Sequence, residues 1–182
     1  MRVLLSVSAL VALVGCTTPN EGKTDNTGNG QIEDTGEAIP ERPDLPMGFD
    51  DAFSQAACGL IGEEGEDIIA ASSMGEAGQV IFLPSDAGEA LYIQMPESGP
   101  GFVTVEIPDW MTTVRFFGDD LAEYTIHGDQ AEDLTGLRAN GACPDERITD
   151  NRWAFHEWGS YVIEFTEDSP SEIWFVALKE EG

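Results

Sequence analysis

The stretch "SYVIEFTEDSPSEIWFVAL", Ser160 to Leu178, decides the fold. Tyr161, Ile163 and Phe165 alternate with Val162, Glu164 and Thr166, which is the two-residue period of a strand with one face in a core. "EDSPS" then supplies turn chemistry, and the run from Ile173 to Leu178 is apolar on both faces, as in a strand covered on both sides. The spacing predicts a β-hairpin over this stretch.

The same period extends outward. "GFVTVEIPDW" sets Val103, Val105 and Ile107 on one face against Phe102, Thr104 and Glu106 on the other. Further strands are expected over 68–71, 79–83, 90–95, 113–117, 124–127 and 152–157. Short strands at this spacing, without alternating helices, predict a mainly β single domain, an antiparallel β-sandwich or jelly-roll-like fold with at most one or two short helices. "DDAFSQAAC" is the expected helix, with Asp50 as its N-cap and Phe53 and Ala57 on one side.

The chain has 182 residues, with 35 acidic and 8 basic side chains, a formal charge of −27 and a pI near 4.1. That balance excludes a nucleic-acid surface, because phosphate neutralisation needs Lys and Arg. It points instead to cations, basic proteins or neutral molecules as partners, and its self-repulsion predicts a monomer. Disorder is not the explanation, since all 16 aromatic residues lie from Phe49 onward. From Gly48 to the end there are 28 acidic and 5 basic residues, a balance of −23. Such a surface is relieved by salt, which makes a saline habitat a natural setting.

The opening "MRVLLSVSALVALVGC" has one basic residue, an apolar stretch and then a cysteine, the polarity of a secretory signal too short to span a bilayer. "LVGC", Leu13 to Cys16, resembles the lipobox of bacterial lipoproteins. The resemblance implies a signal peptide over 1–15, cleavage before Cys16, and a diacylglyceryl thioether on the Cys16 sulfur with an amide-linked acyl chain, palmitate among the lipids. Two or more such chains make release from a membrane very slow. Thr17 rather than Asp after the cysteine implies, by analogy with enteric sorting, a lipid anchor in the outer membrane of the cell envelope. Residues 16–47 then read as the lipidated cysteine and a disordered acidic tether, rich in Asn, Gly, Thr and Pro, and 48–182 as the β-domain. About 30 residues of such chain span roughly 30 Å.

With Cys16 lipidated, Cys58 and Cys143 remain. In an exported chain the pair reads as a disulfide, with two buried free thiols as the alternative. Closing a loop of about 86 residues contributes about 4–5 kcal/mol in the chain-entropy treatment.

Both histidines have carboxylates nearby in sequence: His127 in "TIHGDQ", with Asp129, and His156 in "WAFHEWG", with Glu157. These four are the candidate ligands for a zinc or copper ion, although no HExxH spacing supports them. A cupredoxin copper site is excluded by spacing, since Cys143 lies thirteen residues before His156 and no methionine follows Met111. "GFDD", "FFGDD" and "HGDQAED" leave structural calcium as an open reading, and none matches an EF-hand. No other cofactor is expected.

Trp153, Phe155 and Glu157 share one strand face, and Ala154, His156 and Trp158 the other. With the first face in the core, His156 and Trp158 point outward, where an indole can stack on a sugar ring or anchor a protein partner. Trp110 is a second candidate of this kind. The chain has no G-x-S-x-G, P-loop or dinucleotide fingerprint, so an enzyme is not expected. The reading is a lipid-anchored envelope protein whose acidic β-domain acts as a binding or structural interaction module, with an envelope protein or a glycan as partner. The alternative is a small metal-dependent hydrolase or metal carrier using His127 and His156.

Overall fold

The computed structural model describes residues 45–180. The expected signal segment, Cys16 and nearly all of the tether lie outside the described residues. Among the described residues the first pairing is at Pro46 and Met47, just ahead of the expected domain start: Ala139 N–H donates to the Pro46 carbonyl at 2.9 Å, and Met47 bridges Ala139.

Among the described residues one α-helix, α1 (Ala52–Gly59), precedes eleven strands. These are β1 (Glu66–Ile69), β2 (Ile81–Phe82), β3 (Leu91–Gln94), β4 (Gly101–Ile107), β5 (Thr112–Asp119) and β6 (Tyr124–His127). They continue as β7 (Ala131–Asp133), β8 (Arg138–Ala139), β9 (Ile148–Phe155), β10 (Gly159–Phe165) and β11 (Glu172–Glu180). The first sheet runs β1-β3-β11-β5-β9-β7, with β8 also on β9, and the second runs β2-β4-β10-β6. The molecule is therefore mainly β and sandwich-like. Its sheets are mixed rather than purely antiparallel, because β1 joins β3 and β2 joins β4 in parallel at the sheet edges.

The expected hairpin over Ser160 to Leu178 is not one. β10 pairs with β4 and β6 in the second sheet, whereas β11 pairs with β3 and β5 in the first. The turn chemistry at Glu167 to Ser171 reverses the chain across the core instead of along a sheet edge. The reason lies in β11 itself. Ile173, Phe175 and Ala177 enter the core between the sheets, while Trp174, Val176 and Leu178 enter a second apolar cluster with Ala57 on the outer side of the first sheet. A strand apolar on both faces needs a cover on each, and only a central strand beneath a helix has both.

The inter-sheet core is aromatic. Phe116 stacks on Phe175 at 5.7 Å between centroids, and Phe165 meets Phe175 edge to face at 5.4 Å. Each fully buried ring of this size contributes about 2–3 kcal/mol of transfer free energy. Thr104 on the supposed outer face of β4 is buried too, its hydroxyl donating to the Ala77 carbonyl at 2.9 Å under the turn at Ala77–Gln79. Only Glu106 of that face stays exposed.

The N-cap of α1 is Asp51, one residue later than expected. Its carboxylate accepts from the N–H groups of Phe53 and Ser54 at 3.1 and 3.0 Å, while Asp50 accepts from the Gln55 side chain. Cys58 at the end of α1 is joined to Cys143 by a disulfide, with Cα atoms 6.1 Å apart.

Candidate functional site

Three connections cross between the sheets at one end of the sandwich. β4 ends at Ile107 opposite Gly159 of β10, and β5 begins at Thr112 opposite Phe155 of β9. The crossing over 108–111 therefore runs beside the crossing over 156–158. A third crossing, over 128–130, leaves β6 in the second sheet and enters β7 in the first, where Ala131 also lies opposite Phe155. The result is three parallel arches with the β9–β10 arch in the middle.

Strand register thus gathers residues that sequence reading had singled out separately. His156, Glu157 and Trp158 ride on the middle arch, Trp110 and Met111 on one neighbour, and Asp129 on the other. Trp110 is 62 % exposed, Met111 71 % and Trp158 62 %. The other two tryptophans, Trp153 and Trp174, are buried. Trp153 and Phe155 do enter the core as expected and Trp158 is exposed, but β9 ends at Phe155, so residues 156–158 turn rather than alternate: His156 is half-buried and Glu157, expected on the core face, is exposed. Exposed indoles grouped on adjacent loops are the kind of surface that marks a binding site.

Local geometry holds these arches in shape. The His156 N–H donates to the Gln130 carbonyl at 2.9 Å, tying the middle arch to the third. The Tyr161 hydroxyl donates to the Glu157 carbonyl at 2.8 Å. Gly128 has φ +148, and a Cβ there would fall 2.6 Å from the Tyr161 ring, so the third arch can press on Tyr161 only through glycine. On the first arch, Thr112 donates to the Asp109 carbonyl at 2.9 Å and Met111 takes φ 55, a conformation that non-glycine residues seldom adopt.

The metal candidates are distributed differently. His127, at the end of β6, meets Glu164 at 2.7 Å, and His156 meets Glu132 at 3.1 Å, so each imidazole has its own carboxylate. Asp129 and Glu157 are exposed. Among the described residues, no group of three or more His, Cys, Asp or Glu side chains is arranged to hold a metal ion. Three of the carboxylates considered for calcium are engaged elsewhere, Asp51 of "GFDD" with Arg115, Asp119 with the Trp174 N–H at 2.7 Å, and Asp120 with Arg147 at 2.9 Å, whereas Asp129 of "HGDQAED" is exposed.

Arg115 is the polar centre that sequence reading missed. It lies on the outer face of β5 beneath α1 and is 1 % exposed. Its Nε donates to Asp150 Oδ1 at 3.1 Å, Nη1 to Asp51 at 2.7 Å, and Nη2 to the Ser54 hydroxyl at 3.0 Å and to Asp150 Oδ2. The rings of Phe49, Phe53 and Phe117 surround the guanidinium at 5.1 to 5.8 Å. Burial opposes its charge, but the hydrogen bonds and charge of Asp150, and then of Asp51, outweigh that and raise its pKa. A depression of about 290 Å³ opens beside it, lined also by Arg152 and Glu180. Because the guanidinium's donors are spent on Asp150, Asp51 and Ser54, it clamps α1 to the sheet and has little left for a ligand. The signal was available in the sequence as one charge inside the apolar run "TVRFFG".

No known protein-family model matches the sequence, and no curated protein matches it either.

Proposed function

We propose that this chain is a lipid-anchored protein of the cell envelope, held in the outer membrane through Cys16, whose acidic β-domain is a binding module. The arch end is the binding surface, with Trp110 and Trp158 as its anchors. One observation carries this reading: two exposed indoles and an exposed methionine sit on adjacent crossings at one end of the sandwich, while the remaining tryptophans are buried. Aromatic side chains with few rotatable bonds give large contact area at low entropic cost, which is why they dominate interface energetics. The domain acts without chemistry of its own.

The test has two arms. Cells expressing the wild type and Cys16→Ser are labelled with palmitate and fractionated; label and membrane retention in the wild type alone is the expected result. The mature protein in detergent, and its Trp110→Ala/Trp158→Ala variant, are then compared for retention on purified envelope components, both glycan and protein. Retention lost in the variant supports the arch end. Equal retention by both proteins removes it.

A further inference from the structure

Resting on that reading of the arch end, we propose that its ligand is a basic protein segment, whose lysine or arginine side chains seat on the faces of Trp110 and Trp158. The first ground is what the end offers in hydrogen bonding. Its basic side chains are already engaged within the molecule: His127 with Glu164 at 2.7 Å, His156 with Glu132 at 3.1 Å and Lys179 with Asp109 at 2.7 Å. The carboxylates of Glu106, Asp129 and Glu157 are exposed and are in no salt bridge among the described residues. The charged groups left over are therefore acceptors. A ligand that only donates fits them best, and ammonium and guanidinium groups donate without accepting.

The second ground is the indoles. The face of a tryptophan ring carries negative electrostatic potential and attracts a cation placed over it, more strongly than the other aromatic rings do. Carboxylates around such a face deepen that potential, and the −23 balance from Gly48 onward extends it over the domain and repels anions. Met111, 71 % exposed beside Trp110 in sequence, adds a soft apolar contact that suits the methylene stem of lysine or arginine. A neutral sugar would use the stacking faces and donate from its hydroxyls, but it brings no positive charge to match the carboxylates.

The protein already contains the ion-pair half of this arrangement. Lys179, on β11, reaches Asp109 of the first arch, so an ammonium group is held beside the exposed Trp110 loop. An incoming basic segment extends the same pairing to the carboxylates that have no cation.

The experiment titrates the mature protein in detergent with an octalysine and an octaarginine peptide at about 150 mM salt, where diffuse attraction is screened beyond roughly 8 Å. Tryptophan fluorescence and calorimetry report binding. Trp110→Ala/Trp158→Ala leaves the net charge unchanged, and about tenfold weaker binding is expected from it. Trp110→Phe/Trp158→Phe is expected to recover part of that loss, and Asp129→Asn/Glu157→Gln to weaken binding with the indoles intact. Lysine-acetylated octapeptide is the uncharged control and is expected not to bind. Equal binding by the wild type and the double alanine variant would overturn the proposal, because the attraction would then be general acidity. Binding of a neutral oligosaccharide through the same tryptophans, with no response to the basic peptides, would overturn the cationic assignment and leave the binding end standing. Retention of no envelope component, together with no peptide binding, would remove both.

Discussion

Arg115 on β5 and Asp150 on β9 face each other across the outer surface of the first sheet, and the guanidinium grips both carboxylate oxygens. Both side chains are almost wholly buried, at 1 % and 2 % exposure. An ion pair of this kind does little for stability compared with apolar residues of the same volume, but breaking it leaves an uncompensated charge in the interior. Arg115→Met should therefore destabilise the domain by about 3–5 kcal/mol, measured by urea unfolding. Arg115→Met/Asp150→Leu should recover much of that loss. A single variant as stable as the wild type would show that the pair does not hold α1 in place.

Acidity makes stability depend on pH and salt in a defined direction. Burial pushes the Asp119 carboxyl up against the Trp174 N–H that favours its charge, and burial pushes Asp150 up against Arg115. Folded, these two groups bind protons more readily than unfolded, so stability falls as pH rises from their unfolded range through their folded pKa. Asp51 behaves oppositely. Burial raises it, but the Ser54 N–H and Arg115 outweigh burial, so its contribution is present above the unfolded pKa and is lost as pH falls through the lowered one. As pH falls from 7 toward the ordinary carboxylate range Asp51 stays ionised, the raised Asp119 takes up its proton and the self-repulsion lessens, so the thermal midpoint should rise. About 0.5 M NaCl at pH 7 should raise it as well, by screening the self-repulsion. A midpoint that drops over either change contradicts this balance.

Gly128→Ala should cost about 1–3 kcal/mol, because φ +148 and a Cβ position 2.6 Å from Tyr161 are both denied to alanine. Denaturant unfolding reads the cost. An unaltered midpoint would mean that the third arch relaxes away from Tyr161 freely.

Loss of the Cys58–Cys143 bridge, in Cys58→Ala/Cys143→Ala or under reductant, should cost about 2–5 kcal/mol, since it closes a loop with a sequence separation of 85. Calorimetric scans with and without reductant measure it. Alkylation of both cysteines in native, unreduced protein would speak for the free-thiol alternative.

Elemental analysis of protein purified without chelators should find no stoichiometric zinc or copper that depends on His127 and His156, and chelator should leave the thermal midpoint unchanged. Each imidazole already faces its own glutamate. A full equivalent of metal, lost in His127→Ala/His156→Ala, would restore the metal-dependent hydrolase or carrier reading.

Local periodicity carried most of the strands and the inward turn of Trp153 and Phe155, because a two-residue alternation is written in neighbouring residues, but it ran past the end of β9, where Glu157 leaves the core face. It also showed that the run from Ile173 to Leu178 needed two covers. It could not show which sheet each half of "SYVIEFTEDSPSEIWFVAL" would join, since a reversing turn reads the same whether the chain returns along one sheet or crosses to another. The same limit hid the arch end. Trp110 and Trp158 come together through the pairing of Ile107 with Gly159 and of Thr112 with Phe155, contacts between segments far apart in the chain. The parallel edge pairs were hidden for the same reason. Arg115 was overlooked because its partners, Asp51 and Asp150, arrive from two other elements.

The chain enters the domain beside β8, whose Ala139 lies opposite Thr149 near the start of β9, whereas the arches sit past Phe155 at the far end of that strand. Six residues of extended backbone separate the two levels, or roughly 20 Å. The two exposed tryptophans therefore lie at the opposite end of β9 from the point where residues 46 and 47 join the sheet.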